Sequence, residues 1–367
     1  MPLKLAIVAG DGTGPEVIRE GLKVLHVAAK KHGLAWSAEH FPFGADHYLK
    51  TGHVLTDDDI ATLRGFDAIY LGAVGGQPND PRLAGGVIEK GILLKMRFDL
   101  DQYINLRPVR LYPGIETPLA GKGPSDIDFV VVRENTEDLY CGNGGIMRRG
   151  TDAEVSTQEM ISTAHGVSRC LRYAFELALS RKQLGKPGKL TLVHKTNVLT
   201  HAGATWHRLF EQIGKAEFPE VTREYHHVDA CCMYMVTRPE AYDVLVTSNM
   251  FGDIITDLGA AIAGGMGIAA SGNLNPGRGA GPGMFEPVHG SSPDIAGQDK
   301  ANPLAAIDTM ALLLREVGRV KADPAMTATG DAINAAVMKI TPQFTGKKLD
   351  RSGFTTTQIG DMAAAAV

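Results

Sequence analysis

Along most of this 367-residue chain, short apolar runs the length of a strand alternate with amphipathic stretches the length of a helix. Residues 3–9 read as a buried strand. The helix expected over 15–31 has Pro15 and Glu16 in its first turn and Val17, Leu22, Val24, Leu25 and Ala28 along its apolar side. Residues 67–72, 128–133, 189–194 and 243–247 repeat the strand pattern, and the clearest amphipathic helix is expected over 157–181. A strand without polar alternation must be covered on both faces, so the rhythm predicts an α/β fold with a largely parallel sheet. The length suits two domains or one large one.

Several classes fall away early. A formal net charge of −4 lacks the basic surplus of a nucleic-acid binder. The opening apolar run is broken by Gly10-Asp11-Gly12, too early for a signal peptide, and the longest later run, 258–270, is too short to span a bilayer of about 30 Å. Cys141, Cys170, Cys231 and Cys232 form no CxxC pair and read as thiols of a reducing compartment, so the expected location is cytoplasmic. The stretch 264–297 holds ten glycines in 34 residues and is expected to be a long functional loop. The end, 363–367, reads as a fraying helix terminus.

Five segments carry possible chemistry. In Phe251-Gly252-Asp253-Ile254-Ile255-Thr256-Asp257 the two aspartates are four apart and share one helical face. Like charges at that spacing repel, and a hard divalent cation would relieve them. From spacing alone, the simpler reading is a solvated acidic face with Asp253 as a helix cap. In Val193-His194-Lys195-Thr196-Asn197-Val198 a lysine ends a strand, where α/β sheets bind ligands. A lysine there can act as a base or sit at the surface, and the sequence favours neither.

Arg97, Arg107 and Arg133 would suit a dicarboxylate if they converged, since guanidinium forks bind carboxylates bidentately. Each by itself reads more simply as a surface ion-pair former. Gly10-Asp11-Gly12-Thr13-Gly14-Pro15-Glu16 follows a strand and opens a helix, but does not complete the dinucleotide fingerprint. In the run from Glu286 to Gly297, small hydroxyls, glycines, His289 and Asp294 fit a nucleotide. Asp294 would accept ribose hydroxyls and repel a 2′-phosphate, favouring NAD; an aspartate cap after Pro293 fits nearly as well.

Taken together and in this order, the segments resemble the β-decarboxylating dehydrogenase family, whose members act on isopropylmalate, isocitrate, homoisocitrate, tartrate and malate. The resemblance covers nearly the whole chain. It implies a two-domain isopropylmalate/isocitrate dehydrogenase-like α/β fold, distinct from the Rossmann fold. One domain would comprise 1–107 with 264–367 and bind the cofactor; the other, 108–263, would carry the dimer interface and the metal and catalytic residues. It implies a homodimer with shared active sites, NAD, and Mg²⁺ or Mn²⁺.

Residue by residue, the resemblance places Arg97, Arg107 and Arg133 on the substrate carboxylates, Tyr140 and Lys195 as the catalytic pair, and Asp253 and Asp257 on the metal, joined by Asp229 of the partner subunit. His289, Gly290, Ser291, Asp294, Ile295 and Asn302, with Asn197, would hold the cofactor. Lys195 with water would take the hydroxyl proton as hydride leaves C2; CO₂ would then depart, and Tyr140 would protonate the carbon left behind. A non-catalytic regulatory subunit, as found in the isocitrate group, would have lost one of these residues, and all are present.

For the substrate, Leu93 and Leu94, with Val198 of the partner subunit, offer an apolar surface for an isopropyl group. The implied substrate is therefore 3-isopropylmalate, converted to 2-oxo-4-methylpentanoate in leucine biosynthesis. Lys90 stands against this if it points inward, which would favour tartrate, D-malate, isocitrate or homoisocitrate.

Overall fold

Strand β1 (Leu3–Gly10) buries Leu3, Leu5, Ala6, Ile7 and Val8 completely, as a strand covered on both faces must. Each large apolar side chain removed from water contributes about 1.5–3 kcal/mol. Helix α1 (Gly14–His32) has Pro15 in its first turn and stops at Gly33, whose φ of 69° is left-handed and whose N–H bonds Ala29 O. This computed structural model describes residues 2–277, 281–345 and 353–367.

The chain forms two compact units. Unit 1 comprises Met1–Gln102, Arg110–Pro124 and Ala260–Val367. Its strands lie in the order β2 (Trp36–His40), β1, β3 (Ala68–Ala73), β12 (Gly283–Pro287), β11 (Ala270–Leu274). β1 is parallel to β2 and β3, β12 is parallel to β3, and β11 is antiparallel to β12. Helices α9 (Leu304–Lys321), α10 (Pro324–Ile340) and α11 (Thr356–Ala366) pack with α1 and one another. Because β1, β3 and β12 run the same way, the turn at Gly10, the stretch after Ala73 and the loop after Pro287 emerge at one end. Arg110–Pro124, expected in the middle domain, belongs to unit 1. The Tyr112 hydroxyl accepts a hydrogen bond from Asn334 Nδ2 at 3.1 Å, and Gly114 sits against Pro342 too closely for a Cβ.

Unit 2 comprises Tyr103–Val109 and Ser125–Gly259. Its strands lie in the order β4 (Ile104–Arg110), β5 (Asp128–Glu134), β10 (Val244–Thr247), β8 (Lys189–His194), β9 (Thr222–His227). β5, β10, β8 and β9 are parallel, with Thr247 opposite both Arg133 and Val193, and His194 opposite His227. Helices α5 (Ala164–Gln183) and α6 (Thr200–Ala216) pack together, while α7 (Val228–Thr237) and α8 (Asn249–Ile262) follow β9 and β10. At the opposite end, buried Asp243 accepts from Gly188 N at 2.7 Å and from Arg181 Nε at 2.5 Å, tying the end of α5 to the start of β8. A hairpin of β6 (Gly144–Met147) and β7 (Val155–Gln158) forms a separate two-stranded sheet with every residue exposed.

Three local expectations differ from the structure. The helix expected from 157 begins at Ala164; Thr163 caps it by accepting from Gly166 N, and Thr157 lies in β7. The glycine-rich stretch 264–297 is not one loop but contains β11 and β12, while its residues 278–280 lie outside the described residues. β11 escapes sequence patterning because Ala270, Ser271, Gly272 and Asn273 are small or polar; Asn273 Nδ2 donates to Met284 O across the pair. The terminal alanines are held rather than fraying, with Ala363 buried in a helix that opens with a Thr355–Gln358 capping box.

Candidate active site

The parallel register of unit 2 sets up its chemistry. Arg133 at the end of β5 and Asn249 just beyond β10 are near neighbours, and Arg133 Nε donates to Asn249 Oδ1 at 2.9 Å. Arg133 Nη1 reaches Asp253 Oδ1 at 2.5 Å, one turn further along α8, and Tyr140 Oη donates to Asp253 Oδ2 at 2.9 Å. The Arg133 guanidinium also lies 5.1 Å from the centre of the Tyr140 ring. Gly252 makes this possible: a Cβ there would stand 2.3 Å from Arg133 Cγ, so the buried side chain needs bare backbone to pass. Arg107, held by Asn105 Oδ1 at 2.7 Å, adds charge that Asp253 feels.

Burial pushes the Asp253 carboxyl up, but the Arg133 charge, the Tyr140 hydroxyl and Arg107 together hold it below the ordinary carboxylate value. Burial raises the Tyr140 phenol; Arg133 opposes this and Asp253 adds to it, so the hydroxyl stays a proton donor. The arginines are not surface groups: Arg97, Arg107 and Arg133 are 8%, 9% and 1% exposed. Nor does Asp253 cap its helix, since it lies inside α8. The first turn instead gives Met250 N to Asp138 Oδ2 at 2.9 Å, while Asp138 Oδ1 takes Leu139 N at 2.8 Å. Asp138 holds φ at 71°, a conformation costing a residue with a Cβ about 1–3 kcal/mol, and it fixes the turn that carries Tyr140. It was missed because one aspartate before Leu-Tyr gives no pattern.

Lys195 and Asp229 meet for a similar reason. β8 and β9 end level, His194 opposite His227, so residues one and two positions beyond are brought together. Lys195 Nζ donates to Asp229 Oδ1 at 2.6 Å, and that bond is the main reason the Asp229 carboxyl lies below its ordinary range. Asp257 is exposed on α8. Among the described residues, no three His, Cys, Asp or Glu side chains gather closely enough to hold a metal ion. Within one chain, then, Asp229 pairs with Lys195 and does not join Asp253 and Asp257. Asn197 and Val198, in the turn after Lys195, are exposed.

Unit 1 gathers the other expected residues. Asp11, 5% exposed, accepts three backbone N–H groups: Ala45 N at 2.7 Å, Asp46 N at 3.0 Å and Gly75 N at 2.9 Å. Gly12 (φ 59°) passes so near the 289–297 loop that a Cβ would lie 1.9 Å from Ser291 O, and Thr13 N bonds that same oxygen at 2.8 Å. Glu16 accepts from Gly297 N. The glycine turn thus positions the loop carrying His289, Gly290, Ser291, Asp294 and Ile295. Gly290 and Asp294 are exposed, whereas His289 Nε2 and Asn302 Nδ2 are buried without a partner. Such atoms normally find one, so both are open to a ligand with polar groups.

Arg97, in the short helix after a π-helical turn (Glu89–Leu94), donates from Nη2 to Glu286 Oε1 at 3.2 Å; Asn273 Nδ2 gives the same oxygen a 2.9 Å bond. Its Nε is buried and unpartnered. Leu93, partly buried, lines a cavity of about 620 Å³ with Val74, Leu83 and Ile88; Leu94 is half-buried, and Lys90 is exposed rather than inward.

In unit 2, buried Arg133 with Arg107 faces an aspartate and a phenol, and a lysine–aspartate pair stands at the same end of the parallel strands, an arrangement able to bind an anion and exchange protons with it. The chain belongs to the isocitrate/isopropylmalate dehydrogenase family, whose model matches residues 4–362. A 3-isopropylmalate dehydrogenase of Leifsonia xyli subsp. xyli is 53% identical over 363 residues, 99% of this chain and 98% of that protein. One of Streptomyces coelicolor is 50% identical over 365 residues, 100% and 98%. The crystal structure of an isocitrate dehydrogenase from Methylococcus capsulatus aligns at a TM-score of 0.82 and 30% identity, covering 99% of each chain. The fold is accordingly the α/β isocitrate dehydrogenase-like fold.

Proposed function

We propose that the chain is a 3-isopropylmalate dehydrogenase of leucine biosynthesis, oxidising 3-isopropylmalate with NAD and releasing its β-carboxylate as CO₂ to leave 2-oxo-4-methylpentanoate. Relatives at 50–53% identity over nearly the whole length bear that name. The structural observation that carries the reading is the paired set of Arg133, Asp253 and Tyr140 with Lys195 and Asp229, none of which a regulatory subunit would need.

Carboxylate oxygens alone fit a hard divalent cation, and Asp253 and Asp257, four apart on α8, supply part of such a set. We assign Mg²⁺ or Mn²⁺ to them and to Asp229 of the partner subunit. NAD goes to His289, Gly290, Ser291, Asp294, Ile295, Asn302 and Asn197; the two unpartnered atoms in that set, His289 Nε2 and Asn302 Nδ2, support it. When bound, the metal neutralises charge developing on substrate oxygens and the nicotinamide accepts hydride. Protein side chains do the rest. Arg97, Arg107 and Arg133 hold the carboxylates. Lys195, through water, takes the hydroxyl proton, and the Tyr140 phenol, kept protonated by burial, donates to the carbon that lost CO₂. Leu93, Leu94 and Val198 of the partner subunit cover the isopropyl group.

A homodimer follows from the same assignment. Met233 and Val236 on α7 and Ile254 on α8 are exposed apolar side chains, as are Ile146, Met147 and Val155 on the β6–β7 hairpin. A lone two-stranded hairpin is marginal in water, and this one gains a reason to persist if a second copy covers it. Among the described residues no helix is long and apolar enough to cross a membrane.

The test is NADH formation with NAD and Mg²⁺ or Mn²⁺ on 3-isopropylmalate, isocitrate, D-malate and tartrate, each with an EDTA control. Turnover of 3-isopropylmalate far above the others, abolished by EDTA and restored by metal, is expected. Preference for a substrate without an apolar side group would overturn the substrate assignment.

A further inference from the structure

Residues 195–199 join β8 to α6 without regular structure, yet the peptide unit after Lys195 is held from both sides. Its carbonyl accepts Val198 N at 3.1 Å and Leu199 N at 2.8 Å. Its N–H, belonging to Thr196, donates to Tyr225 Oη at 3.1 Å. Tyr225 lies on β9, and its hydroxyl also contacts Thr196 Oγ1 at 2.9 Å and His227 Nδ1 at 3.0 Å. A phenol has one hydrogen and two lone pairs, so three partners use its whole capacity. One consistent arrangement accepts from Thr196 N–H and Thr196 Oγ1–H and donates to His227 Nδ1.

His227 is the residue before α7, and Asp229 lies in the first turn of that helix. The Tyr225 hydroxyl therefore grips Thr196, beside Lys195, with two bonds and the entrance to the Asp229 helix with a third. Those are the two ends of the 2.6 Å Lys195–Asp229 pair. The Tyr225 ring is itself braced edge-on by His207 and His227, with centroids 5.5 and 5.3 Å away.

We infer that Tyr225 is a positioning residue for the reaction, setting where Lys195 stands relative to Asp229 without touching substrate. The inference rests on the proposed role of Lys195. Displacing a catalytic group by about 1 Å can cost roughly 100-fold in rate, so loss of one hydroxyl is expected to show in kcat. KM for NAD should not follow, because most of the residues assigned to the cofactor lie in unit 1.

The experiment is Tyr225→Phe in the full chain, which keeps the ring and removes only the hydroxyl. Kinetics on 3-isopropylmalate should show kcat lower by about 10- to 100-fold, with KM for NAD within about twofold and a melting transition that stays cooperative. Crystals of both chains grown with EDTA should show the 195–196 peptide turned and Lys195 withdrawn from Asp229 in the variant alone. A variant in which Lys195 still meets Asp229 at the original distance overturns the inference whatever its activity. An unchanged kcat overturns it too. If the unsubstituted chain turned over none of the malate-type acids, the functional proposal would fall, and the paired crystal structures would still decide what Tyr225 positions.

Discussion

Asp11 in unit 1 directly follows a parallel strand and Asp253 in unit 2 lies in the helix that follows one, and they are satisfied in opposite ways. Asp11 is buried and takes three backbone N–H groups from two other segments. Asp253 keeps 45% of its side-chain surface exposed and takes its donors from the side chains of Arg133 and Tyr140. A carboxylate saturated by main chain is committed to architecture, since releasing those amides would leave them unpaired at about 1–3 kcal/mol each. One saturated by side chains can exchange them for a ligand at small cost. Asp11 shapes its turn in unit 1 through backbone, and Asp253 belongs to charges of unit 2 that answer one another until something binds.

The strongest way to break this contrast is Lys195→Ala. It should lower kcat by about 10²–10⁴-fold while leaving KM for NAD and the melting temperature nearly unchanged. An equal rise in KM for NAD would mean that the chemistry of unit 2 is not separable from cofactor binding.

Gly12→Ala should do the reverse. Its Cβ would stand 1.9 Å from Ser291 O on left-handed backbone, so the 289–297 loop must move. About 1–3 kcal/mol of strain is expected. The readout is KM for NAD, raised about tenfold if roughly 1.4 kcal/mol of that strain is relieved when the cofactor leaves; kcat at saturating NAD should be largely retained.

The two aspartates can be compared directly by urea unfolding. Asp11→Asn should cost about 1–3 kcal/mol, because an amide nitrogen cannot accept the N–H groups that the carboxylate does. Asp253→Asn should cost less than about 1 kcal/mol, its ion pair being partly solvated. Activity should rank them the other way, and equal stability losses would erase the distinction.

The smallest effect is a pH dependence of stability. Burial pushes the Glu134 carboxyl up to about 7 from 4.5, so the folded chain holds that proton more tightly and stability declines as pH rises between those values. Burial takes His194 down to about 4 from 6.5, so the unfolded chain binds that proton more readily and stability declines as pH falls through that window. Between pH 4.5 and 6.5 the two slopes oppose each other. Glu134→Gln should leave the histidine slope alone, giving a melting temperature that climbs more steeply with pH than in the unsubstituted chain. Identical slopes in the two chains would show that Glu134 is charged in the fold below pH 7.

The parts legible in sequence were those with a period or a composition. The runs at 3–9, 128–133 and 189–194 became β1, β5 and β8 because a fully buried strand cannot hide its apolar content. β11 was illegible because small polar residues can occupy a buried strand when their hydrogen bonds are met inside, as Asn273 shows. The arginines were visible as residue types, but that they are buried was not. Asp138 and Tyr225 left no mark, since their roles lie in bonds to residues 112 and 29 positions away.

By itself, then, the sequence determined the alternation of strands and helices, the glycine turn after β1 and the inventory of charged groups, all properties of neighbours along the chain. Tertiary structure alone decided which charges meet. Arg133 reaches Asp253 because β5 and β10 are in register and Gly252 leaves room. Lys195 reaches Asp229 because β8 and β9 end level. Coulomb attraction and hydrogen bonding act over a few ångströms, and which residues stand that close is settled by strand register, a quantity no local pattern contains.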